Sequence, residues 1–212
     1  MIKKNLPKLI ITSLIILIPM VIGLILWDKL PDQVPVHWDM NGNVDEYSTK
    51  AQAVFLMPLV LVAFQWICAL GTSLDPKRKN INDKIFTLVL WIIPVISLLC
   101  NSFVYATALG HKVNVEMIMP LFMGVLFIII GNYLPKCKQS YTMGIKLPWT
   151  LDDEENWNKT HRLAGFLWVI GGVIIMATGF LGIFWLTFVA LIPMVIVPTV
   201  YSYLLYKNKN TK

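Results

Sequence analysis

The sequence predicts an all-α polytopic membrane protein, a bundle of six transmembrane helices with the N-terminus and the C-terminus both cytoplasmic. Three observations carry that expectation. Mean hydropathy is +0.66 and only 14% of the residues are charged, so most of the surface must meet something other than water. Apolar runs recur along the chain, each close to the roughly 20 residues a helix needs to cross about 30 Å of hydrocarbon. Lys and Arg divide unevenly among the connecting segments, which sets the orientation.

The runs fall at 9–27, 52–70, 85–109, 117–134, 163–180 and 183–206, within a single membrane domain over 1–212. Each is read as helix, because a lone strand leaves its backbone polar groups unsatisfied in lipid. Lys3, Lys4 and Lys8 precede the first run as they would in a signal peptide. That run is too long for one, however, and Trp27-Asp28-Lys29 offers no small-residue cleavage site, so it reads as a retained anchor. The last two runs form one apolar block of 44 residues, which as a single helix would reach ~66 Å. It is expected to fold back at Gly179-Phe180-Leu181-Gly182.

With the N-terminus inside, the inner segments hold 15 of the 18 Lys and Arg residues: Lys3, Lys4, Lys8, Lys77, Arg78, Lys79, Lys84, Lys136, Lys138, Lys146, Lys159, Arg162, Lys207, Lys209 and Lys212. The outer loops keep Lys29, Lys50 and Lys112. The net charge of +6 is therefore a topology signal. It implies the lipid bilayer as partner and no direct nucleic-acid partner. Cys68 and Cys100 fall within runs and Cys137 at an inner boundary, so no disulfide framework or metal spacing is present and no cofactor is expected.

Two loops carry the motifs. The extracytoplasmic loop 28–50 has Pro31 and Pro35, which favour extended backbone, and Asn41-Gly42, which favours a tight turn. Its Asp39, Asn41, Asn43 and Asp45 alternate like the start of a calcium-binding loop. The pattern fails where Val44 replaces the required Gly and Lys50 the bidentate Glu. His37 and Trp38 read as an interfacial or packing pair, since no second His or Cys is near. The loop 71–84 reads as a basic connector.

The cytoplasmic loop 135–162 contains a short amphipathic helix. Pro148 disfavours helix at Leu147, and Thr150 with Asp153 resembles a capping box, so the helix is expected to start near Leu151. Asp152, Asp153, Glu154 and Glu155 at its start and Lys159, His161 and Arg162 at its end complement the helix dipole, and Glu155 with Lys159 makes an i to i+4 pair. Asp153, Trp157 and His161 lie four apart on one stripe, suited to a partner or to the membrane surface, with Trp149 and Trp157 as headgroup anchors. A zincin signature needs two His; here there is one, and no catalytic set or metal site emerges.

None of the six runs contains Asp, Glu, Lys, Arg or His, which weighs against ion-coupled transport. Gln65 and Asn101 are the main polar side chains there, expected to bond between helices. The prolines at 19, 58, 94, 120, 193 and 198 read as ordinary kinks.

Gly131-Asn132-Tyr133-Leu134-Pro135-Lys136, Gly144-Ile145-Lys146-Leu147-Pro148-Trp149-Thr150-Leu151, Trp157 and Thr160-His161-Arg162 together resemble the signature of the SdpI family of bacterial immunity proteins. Pro31, Val34-Pro35, His37-Trp38, Gly42, Asp45 and Tyr47 are similar to the N-terminal domain of unknown function that many such proteins carry. The family usually has Arg-Thr where this chain has Lys146-Leu147, and often Asn at Ser140; Lys keeps the charge but loses the bidentate fork of Arg. The resemblance implies an integral protein of the bacterial cytoplasmic membrane, not an enzyme, that confers resistance to an extracellular peptide toxin. It also implies a receptor role in signal transduction, holding a cytoplasmic winged-helix repressor at the membrane. Because each motif-bearing loop faces the compartment of its expected partner, His37, Trp38, Asp39, Asp45 and Tyr47 are the residues expected to meet the toxin. Asn132, Gly144, Lys146, Pro148, Trp149, Thr150, Trp157, His161 and Arg162 are those expected to meet a partner or brace the bundle. A membrane-embedded enzyme of metal-dependent hydrolase type and a small-molecule transporter stand as the alternatives.

Overall fold

The computed structural model describes residues 1–39 and 41–211; Met40, in the loop expected outside, and Lys212, one of the basic residues expected inside, lie outside them. Helix α1 (Ile2–Ile25) is followed by a hairpin of β1 (Gln33–Trp38) and β2 (Val44–Thr49), and a π-helical turn at Gln52–Leu56 runs into α2 (Met57–Ser73). Then come α3 (Asp83–Ala108), α4 (Val115–Tyr133) with a tight turn at Leu134–Lys136, the single-turn α5 (Pro148–Asp152), α6 (Glu154–Leu181) and α7 (Leu186–Asn210). Six of these helical segments are long and apolar enough to cross a membrane. The hairpin is an addition to the all-α expectation.

The chain forms two compact units: residues 1–74 with 86–115, and residues 75–85 with 116–212. In the first, Leu9, Ile16, Phe86 and Leu90 are buried, and Leu30, Val54 and Tyr105 make a second apolar cluster. Polar side chains tie its helices together, as is common where lipid offers no hydrophobic drive for helix association. Gln65 Nε2 donates to Thr12 Oγ1, Trp66 Nε1 to Ser13 Oγ at 3.1 Å and Tyr105 OH to the Pro19 carbonyl at 2.9 Å. Asn101 departs from expectation: its amide donates to Ser97 O within its own helix, and it is the Ser97 hydroxyl that crosses to Ile16 O. A serine reaches a facing carbonyl when the backbones are close, and the longer Asn then folds back on its own turn.

The second unit is built on glycine. A Cβ at Gly124 would stand 2.5 Å from Gly172 O, one at Gly131 would stand 2.9 Å from Gly165 O, and one at Gly179 would stand 2.7 Å from Met117 O. Residues 117, 124 and 131 of α4 thus meet 179, 172 and 165 of α6 at seven-residue intervals, backbone against backbone. Helix α6 ends where Gly182 adopts φ 68°, a left-handed cap that glycine takes without strain and that turns the chain into α7. Thr178 and Thr187 hydroxyls share a 2.7 Å hydrogen bond, and Trp168 Nε1 donates to Met194 O.

Candidate functional site

Of the signature residues, Thr150, Trp157 and His161 converge on the loop 137–147, which itself holds Gly144 and Lys146, carries little regular structure and is fixed by side chains around it. Gln139 Nε2 donates to the carbonyls of Thr150 and Leu151 at 2.8 and 2.7 Å, while its Oε1 accepts from Lys77 Nζ and its backbone carbonyl from Asn80. The buried Asp75 carboxylate gathers four donors. Lys77 N–H reaches one oxygen at 2.7 Å; Tyr141 N–H, Thr142 N–H and the Thr142 hydroxyl reach the other at 2.9, 2.9 and 2.7 Å. Loop 71–84 is therefore more than a basic connector, because its Asp75-Pro76-Lys77 turn holds the signature loop from below. An Asp that starts a turn before proline was the available signal.

On the other side lies His161. Its Nδ1 stands 2.8 Å from Trp157 O and its Nε2 accepts the Ile145 N–H at 2.9 Å. Since Nε2 accepts, Nδ1 must carry the proton, so the ring is the neutral Nδ1–H tautomer. The imidazole stacks on Trp157 with centroids 4.0 Å apart, and Trp157 Nε1 donates to Cys137 O at 2.7 Å. Gly144, at φ 104°, presses so closely that a Cβ there would lie 2.8 Å from the Trp157 ring. Both rings are fully enclosed. Trp157 therefore does not act as an exposed anchor, and both nitrogens of His161 are spent on backbone groups, which leaves no free base.

Thr150 organises the entry to the helices. Its hydroxyl accepts the Leu147 N–H and bonds the carbonyl of Ile145, closing the short α5 at Pro148, earlier than the start expected near Leu151. The cap of α6 is Asp153, whose carboxylate accepts from Glu155 N–H and pairs with Lys209 at 2.9 Å. The Lys209 ammonium holds the Asp153 carboxyl below its ordinary range. Glu155 and Lys159 form the i to i+4 pair at 2.7 Å. Trp149 Nε1 donates to Ser202 Oγ, and its ring sits 5.5 Å from Tyr203 and 6.0 Å from Tyr206. Lys146, Pro148 and Arg162 are exposed, and exposed Asn132 bonds its own helix at Ile128 O.

Residues 136–202, which include the loop, α5, α6 and most of α7, match the model described as the SdpI/YfhL protein family. This segment resembles the SdpI/YfhL family. Residues 14–62 match the Domain of unknown function (DUF1648). The chain is 27% identical to the Immunity protein SdpI of Bacillus subtilis (strain 168) over 98% of each chain. No solved structure matches. The six spans and this likeness make it a multi-pass bacterial membrane protein. Asp75, Lys77 and Asn80 lie outside both family matches, yet they complete the knot around the SdpI/YfhL loop.

The DUF1648 segment contains the hairpin. His37 Nδ1 and Asp45 Oδ1 are 2.6 Å apart across the strands, and the Asp45 carboxylate raises the His37 pKa above its ordinary value. His37 is exposed and paired with Asp45, which departs from the packing alternative of the interfacial or packing pair with Trp38 read from sequence. Asp39 caps the turn: its carboxylate accepts from Asn41 and Asn43 N–H at 2.8 Å each, and these bonds hold its pKa down. Asp39 and Asp45 thus serve different partners, and among the described residues no group of three or more His, Cys, Asp or Glu is placed to hold a metal. Trp38 is half-buried, while Tyr47 is exposed.

Proposed function

We propose that this protein is an integral membrane immunity protein that protects its cell from a secreted antimicrobial peptide. The observation that carries the reading is the end-to-end likeness to the Immunity protein SdpI, which spans 98% of both chains. The Lys and Arg bias places the hairpin outside, where a secreted peptide arrives, and loop 137–147 inside. His37, Trp38, Asp39, Asp45 and Tyr47 form the toxin-facing set. Asn132, Gly144, Lys146, Pro148, Trp149, Thr150, Trp157, His161 and Arg162 form the inner set, in which buried Trp157 and His161 shape the loop and exposed Lys146 and Arg162 are presented. Through that inner face the protein holds a winged-helix repressor at the membrane. The spent imidazole of His161 argues against the hydrolase alternative.

The test expresses the chain in a toxin-sensitive bacterium and challenges it with secreted peptides, including that of a neighbouring operon. Survival above the empty-vector control is expected. Unchanged sensitivity to every peptide, with the protein present in the membrane, refutes the reading. Trp149→Ala separates the roles: loss of reporter induction with immunity retained marks the inner face as the repressor contact.

A further inference from the structure

The two strands of the hairpin form the whole sheet among the described residues, so each keeps one edge without a strand beside it. The two edges differ. Lys50 N–H donates to Asp32 O, and the register then pairs Gln33 with Thr49, Val34 with Ser48 and Pro35 with Tyr47. Hydrogen-bonded and non-hydrogen-bonded pairs alternate in an antiparallel ladder, which makes Pro35–Tyr47 a non-hydrogen-bonded pair. Both residues therefore direct their main-chain groups outward. On β1 the outward positions are Gln33 and Pro35; Pro35 has no N–H and is buried together with Val34, which closes the middle of that edge to another strand. On β2 they are Thr49, engaged by Gln52, and Tyr47, which keeps its N–H and carbonyl. Asp45, Glu46 and Tyr47 beside it are exposed. Gln52 approaches the far end of β2 through Ser48 and Thr49, and the register shift near Asp45 bends the other end. The open stretch is short and centred on Tyr47.

Charge selects the occupant. Residues 28–50 hold five carboxylates (Asp28, Asp32, Asp39, Asp45, Glu46) against two lysines, a net of −3 in a chain of net +6. Two copies of this edge would bring Asp45 and Glu46 against their own kind, and like charges facing across strands are destabilising. A cationic chain meets no such penalty.

We infer that the open edge of β2, centred on Tyr47, captures an extended cationic peptide segment as a third strand, with Asp45 and Glu46 selecting its lysines or arginines. Main-chain bonds supply the attachment and the acidic flank the selectivity, the mode of β-strand addition. The inference rests on the reading of the hairpin as the toxin-facing element and adds how the peptide is held there.

The experiment uses the full chain in nanodiscs of uncharged phosphatidylcholine, with a fluorescent seven-residue peptide alternating lysine and valine as probe. Its N-methylated counterpart, methylated on alternate residues, and its glutamate counterpart serve as comparisons. Binding of the lysine peptide is expected, weakened at least tenfold by N-methylation and abolished by the change to glutamate. Tyr47→Pro, which removes the outward N–H but no ladder bond, is expected to weaken binding at least tenfold. Tyr47→Phe should stay within twofold, and Asp45→Asn with Glu46→Gln should lose at least threefold. If Tyr47→Pro does not fold, the N-methylated peptide on the unaltered protein carries the decision. Equal binding of the N-methylated and plain peptides overturns strand addition, as does no binding of the plain peptide. Loss of strand addition with protection intact leaves the immunity reading standing; strand addition without protection against any toxin removes the immunity reading alone.

Discussion

Replacing Gly172 with valine tests whether α4 and α6 are held by backbone contact. A Cβ on Gly172 would lie 2.6 Å from Gly124 O, 2.8 Å from Ile128 Cγ1 and 3.0 Å from Ile128 N. Ordinary contact begins near 3.4 Å, so the helices must part by about 0.8 Å, and two of the three obstacles are main chain that no rotamer change can move. Over-packing of this kind costs about 1–3 kcal/mol, and valine recovers only part of that through its better helix propensity. For a chain of this length the cost corresponds to a fall of roughly 2–12 °C in Tm, read by fluorescence-detected size-exclusion chromatography after heating in detergent. Gly71→Val is the control, because a Cβ there meets nothing within 4 Å; its Tm should move by no more than about 2 °C on the same scaling. Equal shifts for the two variants, or an unmoved Gly172→Val, would refute the packing argument. Gly124→Ala opens the same contact from the other side, so the Gly124→Ala, Gly172→Val double variant should lose less than the two singles summed.

Three other outcomes follow from the geometry. Asp75→Asn keeps one oxygen for the Tyr141 and Thr142 donors but turns an amide N–H2 toward the Lys77 N–H, costing about 1–3 kcal/mol; Asp75→Ala orphans all four donors and should melt lower still. His161→Phe keeps the stack on Trp157 yet leaves the Ile145 N–H without its acceptor, about 1–3 kcal/mol, and hydrogen exchange at Ile145 should quicken relative to wild type; unchanged exchange would show that the imidazole does not hold the loop. By NMR, His37 should titrate above its ordinary 6.5 and return toward it in Asp45→Asn. Because its folded pKa is raised, the His37–Asp45 pair stabilises the hairpin fully below the unfolded pKa and loses that contribution as pH rises through the folded pKa; a hairpin that loosens on acidification through that range would contradict the pairing.

The spans were legible because a bilayer imposes one requirement, length with apolarity, and residues such as those at 85–109 and 183–206 satisfy it locally. Gly179 to Gly182 were legible as a break for a similar local reason. The signature loop was not, because its order comes from partners far along the chain: the Asp75 contact to Tyr141 spans 66 residues, and no periodicity links them. Trp157 and His161 shared a helical stripe that sequence reads as surface, since nothing in the stripe says that Cys137 O and Ile145 N–H will cover it. Asn101 was read as a bridge between helices for want of the one fact that decides it, how near the facing backbone comes to Ser97. The hairpin was half legible: Pro35 and Asn41-Gly42 marked extended chain and turn, while the ladder itself depends on register.

The Asp75 knot also sets an order of assembly. The segment 75–85 is made early but packs with residues 116–212, so during synthesis its carboxylate has only the neighbouring Lys77 N–H until Tyr141 and Thr142 emerge. The knot closes late, after the fourth span has left the ribosome. By the same token, co-expressed halves cut between 115 and 116 should find each other through Asp75, and the substitution Asp75→Ala should keep them apart.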